Sequence, residues 1–171
     1  MSRAPAIRWA GPDDAEGILA LNASVAHEAP EYLGQALDPV SGAEMLQAKL
    51  AAGLVGDGVL VTVTAGGVVG ALTLRAHAHP AFAGVLQLGL CVAPRARREG
   101  VGLALTAAAI SLSRAGGVRR LQLAVIDGNG AALSLFLKAG FAVEGRLRQA
   151  ALVGGVARDV IAMGLGLASE P

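Results

Sequence analysis

Apolar and polar positions alternate along this chain in short blocks, each closed by glycine, proline or a charged turn. Ala6 to Trp9 predicts a short strand. Pro12-Asp13-Asp14 predicts a helix start, because proline's fixed φ suits a first turn and carboxylates favour its positive end. Ile18, Leu19, Leu21 and Val25 give that helix an apolar stripe. His27 to Pro39 is polar, holds two prolines and the only tyrosine, and predicts a loop. Ser41-x-x-Glu44 is a capping box that opens a second helix to about Ala52. Val59 to Thr64 and Val68 to Arg75, joined at Gly66-Gly67, predict a tight β-hairpin. A loop from His77 to Gly84 leads into a strand over Val85 to Val92. A helix from Gly102 to about Ala115 stops at Gly116-Gly117, a C-cap signal. Leu121 to Ile126 is the mostly apolar run expected of a buried central strand. A helix over Ala131 to Ala139 ends at Gly140, and Ala142 to Leu152 and Ala157 to Leu165 form a closing hairpin around Gly154-Gly155. The order predicts one mixed α/β domain over residues 1–171, with its core at about 6–166 and no repeat or linker.

Composition narrows the function classes. A length of 171 residues suffices for one substantial core. Net charge of +1 and only 3% aromatic residues argue against a nucleic-acid partner. The mean hydropathy of +0.57 raises the question of a membrane span. The charge-free stretches Gly58 to Leu74 and Ala76 to Pro94 are broken by glycine, histidine and proline, so neither is an apolar span of roughly 20 residues. The amino terminus has no apolar signal region, and a cytoplasmic enzyme without a membrane partner is expected. The single cysteine, Cys91, excludes an internal disulfide.

Chemistry concentrates between Val92 and Leu105. A strand ends at Pro94; Arg95, Arg97 and Arg98 follow; Gly100-Val101-Gly102 then opens a helix. Amides of a first helical turn lack intrahelical acceptors and sit at the positive end of the dipole, so this turn suits a phosphate. Glycine admits the anion close to the backbone, and arginine adds charge-assisted donors. A P-loop needs Gly-Lys-Ser/Thr, but Leu103-Ala104-Leu105 follows Gly102; a dinucleotide fingerprint needs a small residue where Leu105 stands.

The remaining spacing, Val92-x-Pro94 followed by Arg97-x-x-Gly100-x-Gly102, resembles motif A of the GNAT acetyltransferase superfamily. A second segment, Asn129-x-x-Ala132-x-x-Leu135-Phe136-x-x-x-Gly140-Phe141, resembles the family's stretch after the fifth strand. The closing segments, Gly140 to Arg146 and Gly155 to Met163, look like the branch of amino-acid, polyamine, ribosomal-protein and other protein N-terminal acetyltransferases. Together the resemblance spans Ile7 to Leu165. It implies an α/β GNAT fold: a mixed, mostly antiparallel sheet flanked by helices, with acetyl-coenzyme A at a splay between the fourth and fifth strands.

The same resemblance implies site residues. Backbone groups of Leu90, Cys91 and Val92 would line the pantetheine and thioester, and Arg97, Arg98, Gly100, Val101 and Gly102 would hold the pyrophosphate. Asn129 would bond the pantetheine arm, Phe136 would flank it, and Lys138 is a candidate for the ribose phosphate. Two catalytic positions depart from the family pattern. Phe136 stands where many members carry a tyrosine proposed to protonate the thiolate, and Gln87 stands where relatives often place an acidic base. Neither phenylalanine nor a neutral amide does that proton chemistry. His79, or its neighbour His77, is a candidate base acting through water; Glu28 and Glu31 are candidate acceptor-site residues by family analogy. The pair His77-x-His79 has no third ligand nearby in sequence, and no metal is expected.

These readings lead to an N-acetyltransferase acting by direct attack in a ternary complex on a primary amine. An α-amine of pKa about 8 is partly neutral at pH 7, whereas a lysine-type amine near 10.4 must lose several pKa units at about 1.4 kcal/mol each. A base-poor site therefore points to the α-amino group of an amino acid or small amine. The alternative is a non-catalytic acyl-coenzyme A binding or sensing domain that keeps the cofactor motifs alone. An apolar closing hairpin makes a homodimer an expectation as well.

Overall fold

The computed structural model describes residues 6–28 and 58–167. One seven-stranded sheet carries the fold, in the order β1-β2-β3-β4-β5-β7-β6. Its strands are β1 Ala6–Trp9, β2 Gly58–Thr64, β3 Gly67–Ala76, β4 Val85–Val92, β5 Arg120–Ile126, β6 Ala142–Val153 and β7 Val156–Gly166. All neighbours pair antiparallel except β4 and β5, which are parallel. Helices α1 Ala15–Glu28, α2 Val101–Ala115 and α3 Gly130–Lys138 flank it. The architecture is the mixed α/β arrangement that the sequence implied.

Local differences have local causes. Pro12–Asp14 forms a 3-10 turn before α1, because Gly11 N–H donates to the Asp14 carboxylate at 2.8 Å and closes a tight cap there. The helix then continues over His27 and Glu28, which the sequence assigned to a loop. The predicted capping-box helix from Ser41, the rest of that loop and Glu31 lie outside the described residues. Inside the His77–Gly84 segment, Pro80–Phe82 forms a second 3-10 turn whose N-cap is His79. Strand β7 inserts between β5 and β6, so the closing hairpin adds to the sheet through its second arm. Edge strand β6 is irregular twice, at Val143/Gly145 and again at Leu147/Ala151, where Gln149 takes a positive φ of 50°.

The core sits on both faces of the central strands. Leu60, Leu72, Leu105, Leu121 and Met163 are fully buried in one cluster with Ile18, Leu21 and Phe136. Burial of this apolar surface is the main stabilising force, at about 25 cal/mol per Å². The sheet's most consequential feature is a shortage of pairing. Strands β4 and β5 are in register only over Val85↔Arg120, Leu86↔Leu121 and Gln87↔Gln122. Beyond that point, Leu88–Val92 and Leu123–Ile126 have no registered partners in each other, and the two strands splay apart.

Candidate active site

The splay is bounded by three structures the sequence singled out. At its β4 side, the strand runs through Leu90, Cys91 and Val92 into a 3-10 turn, Pro94–Ala96, and then into α2. The N-cap of α2 is Gly100, in the left-handed region at φ 81° and ψ 0°, and no side chain caps the helix. The first backbone bond reaching back is from Ala104 N–H to the Gly100 carbonyl at 2.9 Å. The amides of Val101, Gly102 and Leu103 precede it at the positive end of the dipole. Arg98 also sits at positive φ, 63°, a conformation costing a non-glycine residue roughly 1–2 kcal/mol. Left-handed residues thus alternate at Arg98 and Gly100, a backbone pattern that anion-binding nests also use.

The arginines there divide their work. Arg95 Nη2 donates to the Gly66 carbonyl at 2.9 Å and ties this turn to the β2–β3 hairpin. Arg97 Nε donates to the Val92 carbonyl at 3.4 Å and lies over the end of β4. Arg98 is exposed and takes no side-chain bond among the described residues. Gly102 is buried, and its missing side chain is a matter of spacing. A Cβ there would stand 2.7 Å from Leu135 Cδ1 and 3.3 Å from Leu90 Cδ2, so the residue lets α2 approach β4 and α3 closely.

At the β5 side, Asn129 is the N-cap of α3, and its Oδ1 accepts from Ala132 N–H at 3.1 Å. The cap uses the amide oxygen and leaves the NH₂ group to donate. A shallow cavity of about 230 Å³ opens here, lined by Asn129, Gly128, Leu133 of α3 and Ile161 of β7. Arg146 braces the rim. Its Nη2 donates to Asp127 and its Nε to Asp159, both at 2.6 Å, joining the end of β5 to the hairpin.

Phe136 and Cys91 face inward. Phe136 is 5% exposed and meets Phe141 edge to face, with centroids 5.6 Å apart at 68°. Burial pushes the Cys91 thiol up to about 11, against a smaller opposing effect of the Arg97 cation. A thiol so held stays protonated near neutrality and packs as a core residue. Lys138 is an exposed lysine in the last turn of α3. Glu28 ends α1, and its side chain lies outside the described residues, as does Glu31.

The closed end of the splay holds Gln87 and Gln122. Gly70, whose Cβ would meet Leu105 and Val101 of α2, pairs with Val92, so the even-numbered residues of β4 face α2. Gln87 and its partners Arg75 on β3 and Gln122 on β5 therefore project from the opposite face. Gln122 Nε2 donates to Gln87 Oε1 at 3.3 Å and approaches His77 Nε2 at 3.0 Å. The sequence singled out Gln87 but not Gln122 or Arg75; alternation within β5 and β3 was the available signal, and it does not say which strands meet. His79 is bonded within its own turn, its Nδ1 accepting from Ala81 N–H at 3.1 Å.

Comparison with known proteins decides the family. The model of the acetyltransferase (GNAT) family matches residues 27–141, more than half of the chain. The protein belongs to the GNAT acetyltransferase family. It is an acetyltransferase that uses acetyl-coenzyme A as co-substrate. Among solved structures, a GNAT acetyltransferase from Streptococcus pneumoniae is 28% identical, covering 95% of this chain and 99% of its own, with a TM-score of 0.84. A ribosomal-protein-alanine N-acetyltransferase from Brucella melitensis is 27% identical over 95% and 99%, with a TM-score of 0.82. A phosphinothricin acetyltransferase from Sinorhizobium meliloti in complex with acetyl-coenzyme A shares the fold at 20% identity, over 96% and 89%, with a TM-score of 0.82. No helix among the described residues is long and apolar enough to cross a membrane.

Proposed function

We propose that this GNAT acetyltransferase acetylates the α-amino group of an amino acid or small amine, by direct attack in a ternary complex. The observation that carries this reading is the row at the closed end of the splay: Arg75, Gln87 and Gln122, from three neighbouring strands, on one face of the sheet. The amides are neutral. Further along the row, Glu144 is engaged by both guanidinium nitrogens of Arg120, which holds its carboxyl below the usual carboxylate range. Among the described residues the row holds the cation of Arg75 and no unpaired carboxylate, which disfavours a polyamine, since that needs anionic partners. It suits an acceptor whose own carboxylate meets arginine, bidentate and charge-assisted.

In this reading the co-substrate enters from the face of α2. Its pyrophosphate meets the amides of Val101 and Gly102, the turn at Gly100, and the cations Arg97 and Arg98. The backbone of Leu90, Cys91 and Val92 and the Asn129 amide line the pantetheine, with Lys138 available to the ribose phosphate. The thioester supplies an activated acyl carbon and a thiolate leaving group of modest basicity, which reduces the need for the acid that Phe136 cannot supply. The exposed Leu147 and Leu152 on the β6–β7 hairpin support a homodimer, which sedimentation measures.

The test is steady-state thiol release with acetyl-coenzyme A over a panel of amino acids, dipeptides and polyamines. Turnover on α-amino acids is expected to exceed that on spermidine at least tenfold, and Arg75→Ala is expected to raise KM for carboxylate-bearing acceptors. Preference for spermidine would overturn the reading.

A further inference from the structure

The polar chain at the closed end of the splay has a direction. Gln122 Nε2 lies 3.0 Å from His77 Nε2 and donates to Gln87 Oε1 at 3.3 Å. An amide nitrogen only donates, so the imidazole nitrogen that faces it is the acceptor. His77 therefore carries its proton on Nδ1 and turns the Nε2 lone pair toward the sheet. Phe82 fixes the ring plane, stacked at 4.7 Å and 29°. His79 has no such freedom, because its Nδ1 lone pair is spent on capping the Pro80–Phe82 turn.

We propose that His77 is the base of the transfer, its Nε2 taking the proton that the acceptor amine sheds. The inference rests on the acceptor reading above. The amine lone pair forms the new N–C bond to the thioester carbonyl carbon, and the carbonyl π pair moves to oxygen. That pair returns as the C–S bond breaks, and the bonding electrons leave with the thiolate. The N–H proton passes to Nε2 in place of the Gln122 contact. Rotation of the Gln122 amide then presents Oε1 to the new Nε2–H, so the imidazolium keeps a partner.

Few charged groups among the described residues surround this nitrogen. Arg75 stands two residues earlier at the end of β3, and His79 lies on the adjoining turn. Strands β4 and β5 contribute the neutral Gln87 and Gln122, and Arg120 further along β5 is engaged with Glu144. No carboxylate among the described residues bonds the imidazole to lock it in the charged form.

The pH dependence of kcat, at saturating acetyl-coenzyme A and amino acid, tests the assignment in three proteins. The wild type should show an acid limb beyond the one that ionisation of the amine itself gives. His77→Gln should lower kcat about 10²-fold, the low end for general-base catalysis, and abolish that acid limb. Gln122→Glu places a carboxylate beside the imidazole, which holds the proton more tightly and should move the limb to higher pH. Ionisation of the amine itself is common to all three and moves in none. A purely structural His77 would leave the profile unmoved in Gln122→Glu, and a His77→Gln profile of the same shape as the wild type would overturn the assignment. In that case transfer by the wild type would still stand. Absence of transfer to every amine by the wild type would overturn the acceptor reading and the base together.

Discussion

Arg98 shows how one residue serves shape and charge together. Its φ of 63° sets the turn of the backbone ahead of α2, and its exposed side chain adds a cation there. The two contributions separate on substitution. Arg98→Gly and Arg98→Ala both remove the cation and should both weaken coenzyme A binding, more at low salt than at high salt, since ions screen an exposed charge. Glycine tolerates the left-handed region and alanine does not, so Arg98→Gly should unfold at higher urea, by about 1 kcal/mol. Titration calorimetry at two ionic strengths and urea unfolding give both answers; equal stabilities would show that the turn relaxes around alanine. At this scale the sequence was readable for motif residues but not for their orientation. Glycine at 102 looked like a phosphate contact, and its Cβ direction, toward Leu135 and Leu90, shows that it also spaces α2 from its neighbours.

Elements are held to one another by a few polar ties. Strand β1 is anchored to α1 through Asp14, which accepts from Arg8 Nη1 at 2.6 Å and Nη2 at 2.8 Å and from Gly11 N–H. The Arg8 bonds, with help from Gly11, hold the Asp14 carboxyl below the usual carboxylate range. A depressed folded-state pKa stabilises the fold above the ordinary carboxylate value, about 4, and that stabilisation is lost as pH falls through the folded value. Asp14→Asn should therefore cost about 1 kcal/mol at pH 7, as for a lost helix cap with a half-exposed ion pair, and the gap should narrow toward pH 3. Urea unfolding at the two values checks this, and a gap independent of pH would rule out the linkage. Element identities were legible because periodicity and turn chemistry are local. Boundaries were less so, as at α1, where the helix runs over His27 and Glu28, two positions that polar composition assigned to the loop.

For the whole molecule, the splay is the property that matters, because a ligand seated between β4 and β5 replaces pairing that the sheet itself omits. Such a ligand binds the native state alone and stabilises it by mass action, by about 2.7 kcal/mol at 100 times Kd. Acetyl-coenzyme A should then raise Tm by roughly 5–10 °C for a chain of this size, read by differential scanning fluorimetry. No shift at saturating concentrations would remove the assigned cofactor groove. By itself the sequence determined the strands, the three described helices and the glycine-rich connection before α2, since each depends on residues within a few positions of one another. Only the tertiary structure decided that β7 enters between β5 and β6, that the splay expected between β4 and β5 begins after Gln87↔Gln122, and that His77 meets Gln122 from 45 residues away. Those outcomes depend on which apolar faces are buried against which, and that is a property of the assembled core rather than of any local run of residues.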